Sequence, residues 1–247
     1  MTAGSIGMIL DRALTPALLD IALRVATEAG GRKDARQLLT IALRDHVSAQ
    51  EAEGKTKKCL SHVWVHPPEP AREMIHWAIK HQDIAPDRAV LHLGAILATF
   101  PFAGAVAAIA GRQLHLDGSV DSRLVREEAR AVLGDRSTID VGARKVITTL
   151  RNLGLLGGSN GHRLSLGSRP VVPRDLAGWM RHSVMLTRQA TAVGVESTSR
   201  ALELATLTLE NVGSGGYALL EIHAEGRRPV AVARLSPDLG SVARSQQ

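Results

Sequence analysis

Arg144, Lys145, Thr148, Thr149, Arg151 and Asn152 crowd into nine residues of the chain. Cations of this kind reach phosphates, and short hydroxyl and amide side chains approach base edges. Ile139, Ala143, Val146, Ile147, Leu150 and Leu153 recur at helical spacing through the same stretch and form one apolar stripe. The six polar residues fall away from that stripe. A helix over Thr138–Asn152 would therefore bury one face and offer the other to a polyanion. Ser137 and Asp140 have the S-x-x-D spacing of a capping box, with Asp in place of Glu, and Gly154 ends the helix. Arg136, Ser137 and Thr138 at its N-terminal end, with Arg163 further on, complete a candidate DNA-binding set. Asp140 opposes this reading, because phosphates repel a carboxylate unless it reads a cytosine amine or only caps the helix.

The charge distribution supports the same stretch. Of 30 Lys and Arg, ten lie between Arg123 and Arg174: Arg123, Arg126, Arg130, Arg136, Arg144, Lys145, Arg151, Arg163, Arg169 and Arg174. Glu127, Glu128, Asp135 and Asp140 are the acids there, so these residues carry the whole net excess of +6. A localised excess is the footprint expected of a surface for polyanions, the alternative being a merely solvated basic face. Lys57 and Lys58, by contrast, sit in the polar run "EGKTKK", which reads as a link, and are expected to be spectators.

The elements that must hold these residues are mostly helices. Aromatics are only 2% of the chain and apolar residues 45%, so Leu, Ala, Val and Ile must build the core. That composition suits helix packed on helix. "TPALLDIALRVATEAG" carries an apolar stripe of Leu18, Leu19, Ala22, Leu23 and Ala26 and stops at Gly30-Gly31. "DARQLLTIALRDHVSAQEAE" restarts with Asp34 as its cap. Pro67-Pro68 forbids a continuing helix. Pro70 opens another, with Met74, Ile75, Ala78 and Ile79 inward. Ala89–Ala110 is strongly apolar but broken by His92, Pro101 and glycines, which predicts two buried helices and no membrane span. After it come "PFAGAVAAIAGRQLHL", a turn at Asp117-Gly118, and "DSRLVREEARAVLG" with Leu124, Val125, Ala129, Val132 and Leu133 on one side. Beyond Gly154, "LL", "GGSNG" and "HRLSL" read as strand, turn and strand, with Asn160-Gly161 the hairpin signal.

Helix, helix, short turn, helix and glycine-tipped hairpin over residues 101–170 resemble a winged helix-turn-helix. The "TLRNLGLL" run before the wing is similar to that of many members. The order of a helical N-terminal half, Phe-containing helices and "STIDVGARKVITTLRNLGLL" also resembles the BrxA-like DNA-binding accessory proteins of bacterial BREX phage-defence systems. The resemblance implies a DNA-binding function, in phage defence or in transcription regulation.

Other motifs are weaker. "EGKT" is similar to the end of a phosphate-binding loop, but Ala49 stands where that loop needs glycine and no strand leads into it. Cys59, His62 and His66 have C-x2-H-x3-H spacing, with His76 and His81 nearby. No second cysteine exists to complete a typical zinc set, and no metal or other cofactor is expected. His62, Trp64 and Trp77 read as seam or core residues. No nucleophile, base and orienting acid stand out, so no enzyme is expected.

After Pro173, "PRDLAGWMRHSVMLTRQA" and "ESTSRALELATLTLENV" read as helices. "YALLEIHAEGRRPVAVARL" reads as a hairpin turning at Glu225-Gly226, with Pro229 marking an edge strand. The tail from Ser236 is expected to be loose. The expected fold is mainly α: helical residues 1–100, a winged helix at 101–170, and an α+β extension at 171–247. One cysteine and no apolar leader predict a cytoplasmic protein. The expected partners are double-stranded DNA, other protein subunits and a second copy in a homo-oligomer, with no membrane. The alternative is an adaptor whose winged helix binds proteins instead of DNA.

Overall fold

The first helix of the chain shows how local chemistry sets its limits. The side chain of Thr15 accepts the Leu18 N–H, Pro16 occupies the first turn, and Gly30 ends α1 (Pro16–Ala29) in the left-handed region at φ 53°. A computed structural model describes residues 7–47, 50–158, 161–209, 217–225 and 228–234. Among them are ten α-helices and eight short strands, a mainly α fold.

The N-terminal half departs from the expected pattern in one place. Asp34 precedes α2 (Ala35–Leu43), but its side chain makes no cap hydrogen bond and pairs with Arg32 instead. The helix expected to run on from there stops at Leu43. A separate helix, α3 (Gln50–Leu60), contains the whole "EGKTKK" run. That run is therefore not a link. Buried Thr56, Cys59 and Leu60 anchor the helix, and Lys57 and Lys58 lie in its last turn, where cations favour the carbonyl end. A π-helical turn, Ser61–Val65, continues it, closed by the His66 N–H donating to the Ser61 carbonyl at 2.6 Å. Pro67-Pro68 stops it, as the sequence requires.

Pro70 lies in the first turn of α4 (Glu69–Lys80), which buries Met74, Ile75 and Ala78. The Asp87 carboxylate accepts the Ala89 N–H at 2.8 Å and caps α5 (Arg88–Thr99), whose residues from Ala89 onward are all buried. Phe100 separates it from α6 (Pro101–Asp117), and the pair bends by 118°. Among the described residues no single helix is long and apolar enough to cross a membrane.

From α6 the chain forms β1 (Ser119–Asp121), α7 (Ser122–Leu133), α8 (Ser137–Asn152), β2 (Leu156–Gly157) and β3 (Arg163–Leu166). The three strands make an antiparallel sheet in the order β1-β3-β2. β1 was not foreseen; its residues follow directly on the turn at Gly118. The expected turn residue Asn160 lies outside the described residues, but the strands on either side pair as a hairpin requires. On α7 only Val125 and Ala129 are buried; Leu124 and Val132, expected inward, are 52% and 53% exposed.

The C-terminal part begins with β4 (Val171–Val172) and α9 (Arg174–Thr187). β5 (Ala192–Gly194) follows, and the helix expected over 196–212 breaks up, as far as its described residues go, into the short α10 (Val195–Ser199), a 3-10 turn at Leu202–Leu204 and β6 (Thr208–Leu209). The Thr198 and Ser199 hydroxyls bond back to the Val195 carbonyl, and β-branched residues crowd the segment, both of which disfavour a continuous helix. β7 (Leu220–Glu225) and β8 (Arg228–Ala233) pair antiparallel, while Gly226 and the tail from Ser236 lie outside the described residues. β8 is not an edge strand, because β5 pairs with it from Val230 to Val232. Pro229 is accommodated one residue beyond the end of β5, where no donor is needed.

The three parts share one apolar core running from Leu10 to Ala231. α9 lies against α5 so closely that a Cβ at Gly94 would come within 2.1 Å of the Trp179 ring.

Candidate nucleic-acid interface

The apolar stripe of α8 is buried as its spacing requires: Ile139, Ala143, Val146, Ile147, Leu150 and Leu153 are all at most 6% exposed. The opposite face carries Ser137, Val141, Arg144 and Thr148 in successive turns, flanked by Arg151 and Lys145. Arg144 and Arg151 are exposed, and Lys145 and Thr148 are half-buried. Val141, 39% exposed on this face, was not singled out from the sequence. Its position two residues after Ile139 already set it off the stripe.

Two expected contact residues face the protein. Thr149 is 2% exposed; its hydroxyl accepts the Leu14 N–H at 3.0 Å and donates to the Lys145 carbonyl at 2.9 Å. Thr149 therefore does not belong to the polar face. Asn152 is exposed, but its amide donates to the Leu14 carbonyl at 2.9 Å. These bonds satisfy both backbone polar groups of Leu14, so residues 7–15 are held as a strap along α8. Gly142 makes room for the strap, since a Cβ there would meet Ile9 at 2.4 Å.

The N-terminal end of α8 differs from the expected capping box. Arg136 occupies the cap position and makes no side-chain cap bond, while Ser137 is already inside the helix. Asp140 instead receives a two-pronged hydrogen bond from Arg126, at 2.9 and 2.8 Å. The pair ties α7 to α8 and neutralises the carboxylate that spoke against a phosphate-facing helix. Arg130 likewise binds Asp135 at 2.8 Å. Arg126 and Arg130 are thus structural. Arg136, Ser137 and Thr138 are exposed at the helix start.

Beyond the helix, Arg151 donates to the Gly158 carbonyl at 3.1 Å and Arg163 donates to the Ser119 hydroxyl at 2.9 Å. Both guanidinium groups are thereby oriented along the β2–β3 hairpin while remaining exposed. α8 and the hairpin hold Arg136, Arg144, Lys145, Arg151 and Arg163 without a salt bridge to any described residue.

The remaining motifs resolve differently. The Cys59 thiol donates to the Asp11 carboxylate at 3.1 Å, and burial pushes its pKa up to about 12. His62 is 2.9 Å from the Thr99 carbonyl, and no group of three His, Cys, Asp or Glu among the described residues is placed to hold a metal. Trp64 is buried, and Trp77 stacks on His81 and meets Tyr217 edge-on. His182 Nδ1 lies 2.7 Å from the Tyr217 hydroxyl, a pairing the sequence did not suggest. Burial holds His182 down at about 4 and raises Tyr217, so both are neutral at ordinary pH and neither is tuned for proton transfer there.

Compared with known proteins, the chain matches no family model, no curated protein and no solved structure.

Proposed function

We propose that residues 101–170 are a winged helix-turn-helix that binds double-stranded DNA without catalysing a reaction, with α8 as the recognition helix and the β2–β3 hairpin as the wing. The observation that carries this reading is the order α6-β1-α7-α8-β2-β3, closed by the sheet β1-β3-β2, with a cationic α8 face left uncovered. A helix so presented fits the major groove, with Arg144 and Lys145 reaching phosphates or guanine edges. Thr148 and Val141 offer apolar contact to thymine methyl groups, and Arg151 and Arg163 extend the contact along the backbone. The similarity of "STIDVGARKVITTLRNLGLL" to BrxA-like proteins favours a cytoplasmic component of a phage-defence or other DNA-handling assembly over a free transcription regulator.

Purified protein titrated with a duplex at several salt concentrations tests this. Counterion release predicts that log K falls with log salt by roughly 0.9 per phosphate contact. Binding that is absent at low salt, or indifferent to salt, sinks the reading.

A second reading, a protein adaptor, is favoured by exposed apolar residues on α6 and α7. Leu116 is 72% exposed, and Leu124 and Val132 lie one helical repeat either side of Glu128, which pairs with Arg112 of α6. Sedimentation that shows a monomer unaffected by Leu116→Glu would remove that support.

A further inference from the structure

A groove of about 680 Å³ beside α2 and α3 is lined by Arg36 of α2, Arg44 at its C-terminal cap, and Lys57 and Lys58 of α3. Among the described residues no carboxylate lines it, and none of the four cations has a salt bridge. The volume is that of a small-molecule pocket and far too small for a duplex.

Three further features point inward. The π-helical turn brings Ser61, His62 and His66 onto the groove wall. The Ser61 hydroxyl is buried, with the residue only 7% exposed, and has no hydrogen-bond partner. A ligand oxygen would satisfy it. His62 and His66 are both held below the ordinary imidazole value, first by burial and then by nearby cations, Lys58 for His62 and Arg36 and Arg72 for His66.

Gly54 is the third feature. A glycine in mid-helix weakens it, and a Cβ at this position would meet nothing within 4 Å. Packing does not ask for glycine there. Gly54 lines the groove, and a Cβ there would stand in open space. Met8 and the exposed Ile41 add an apolar wall beside the cations.

We propose that this groove binds a nucleotide-sized polyanion: adjacent phosphoryl groups held by Arg36, Arg44, Lys57 and Lys58, one oxygen on Ser61, and an apolar or planar body against Ile41 and Met8. Guanidinium and ammonium donors bind phosphoryl oxygens through charge-assisted hydrogen bonds, and four convergent cations favour a ligand with several negative charges. The site is not a phosphate-binding loop, since Gly54 sits inside α3 and supplies space in place of a turn.

The test is calorimetric titration of the full chain with ATP, AMP and inorganic tripolyphosphate at moderate salt. Saturable 1:1 binding of ATP and tripolyphosphate, with AMP weaker, is expected. Lys57→Gln with Lys58→Gln should weaken it roughly tenfold or more, as the loss of two charge-assisted bonds implies. Gly54→Glu should abolish it while leaving the melting temperature unchanged or higher. Arg144→Ala with Lys145→Ala should not alter it, which separates this proposal from the DNA reading of α8. Absence of saturable oligophosphate binding, occupancy by duplex DNA alone, or equal losses in the α8 and α3 double variants would each overturn it.

Discussion

Helix α8 presents Arg144, Lys145 and Arg151 along one continuous register, and neighbouring residues of the chain supply nearly the whole surface. The α2–α3 groove gathers Arg36 and Arg44 from α2 and its C-terminal cap, and Lys57 and Lys58 from α3. In the linear count Arg123–Arg174, which includes α8, carries the entire net excess of +6, and the rest of the chain, which includes α2 and α3, balances as a whole. The difference teaches that a local excess of charge measures sequence neighbourhood, whereas potential depends on which charges face the same space. Asp45 and Glu53, which offset Lys57 and Lys58 on paper, are not among the described residues that line the groove. The opposite holds on α8, where Asp140 weakens the charge count but is neutralised in space by Arg126.

The largest effect should come from Leu150→Asp. Leu150 is 4% exposed in the core that both regions share, and an unpaired buried carboxylate should cost about 4 kcal/mol or more. Urea denaturation should show loss of the cooperative fold, with DNA and oligophosphate binding lost together. A variant that keeps oligophosphate binding would mean that the two regions fold independently.

Next is the exchange between surfaces. Arg144→Ala with Lys145→Ala should shallow the salt slope of duplex binding by about one unit per lost phosphate contact, and cost roughly 1–3 kcal/mol on a preferred site if a base contact is lost. Lys57→Ala with Lys58→Ala should leave the DNA slope intact and impair only oligophosphate binding. The removed charge is the same in both, so equal effects on DNA would dissolve the distinction between the regions.

Thr149→Val addresses what positions α8. It keeps the shape but leaves the Leu14 N–H without its acceptor, at a cost of about 1–3 kcal/mol. A lower urea midpoint with nearly normal DNA affinity is expected, because Thr149 faces the strap and not solvent. A strong loss of DNA affinity at unchanged stability would restore it to the binding face.

The smallest effect separates the surfaces by pH. A bound polyanion favours protonated imidazole, so it raises the lowered pKa values of His62 and His66, and binding takes up protons. Affinity for the fully ionised oligophosphate, after correction for the proton that its own terminal phosphate takes up near pH 6, should therefore rise severalfold as pH falls below the ordinary imidazole value of about 6.5. Duplex binding through Arg144, Lys145 and Arg151 should change little across the same window. A flat oligophosphate profile would show that the histidines lie clear of the ligand.

The sequence alone determined the helices with a strong period and a chemical stop. Thr15 and Gly30 bound α1, Asp87 caps α5, and Ile139 to Leu153 fix which side of α8 is buried, because i, i+3 and i+4 neighbours share a face whatever surrounds them. The stretch from Asp34 was legible as a helix, but nothing in its spacing names the helix that faces Arg36 across the groove. Tertiary structure decided the rest. It turned Thr149 inward, since only the placement of Leu14 supplies a partner for its hydroxyl, and it gave Asp140 to Arg126 instead of to a cap. It kept "EGKTKK" helical through the burial of Thr56, Cys59 and Leu60, which outweighs the polarity of the run. It also split the threonine-rich segment after Val195, where pairing of β6 with β4 satisfies backbone groups that a helix would otherwise have used. Periodicity along one element is a local property of the chain, whereas the partner of a polar group is set by distances across it.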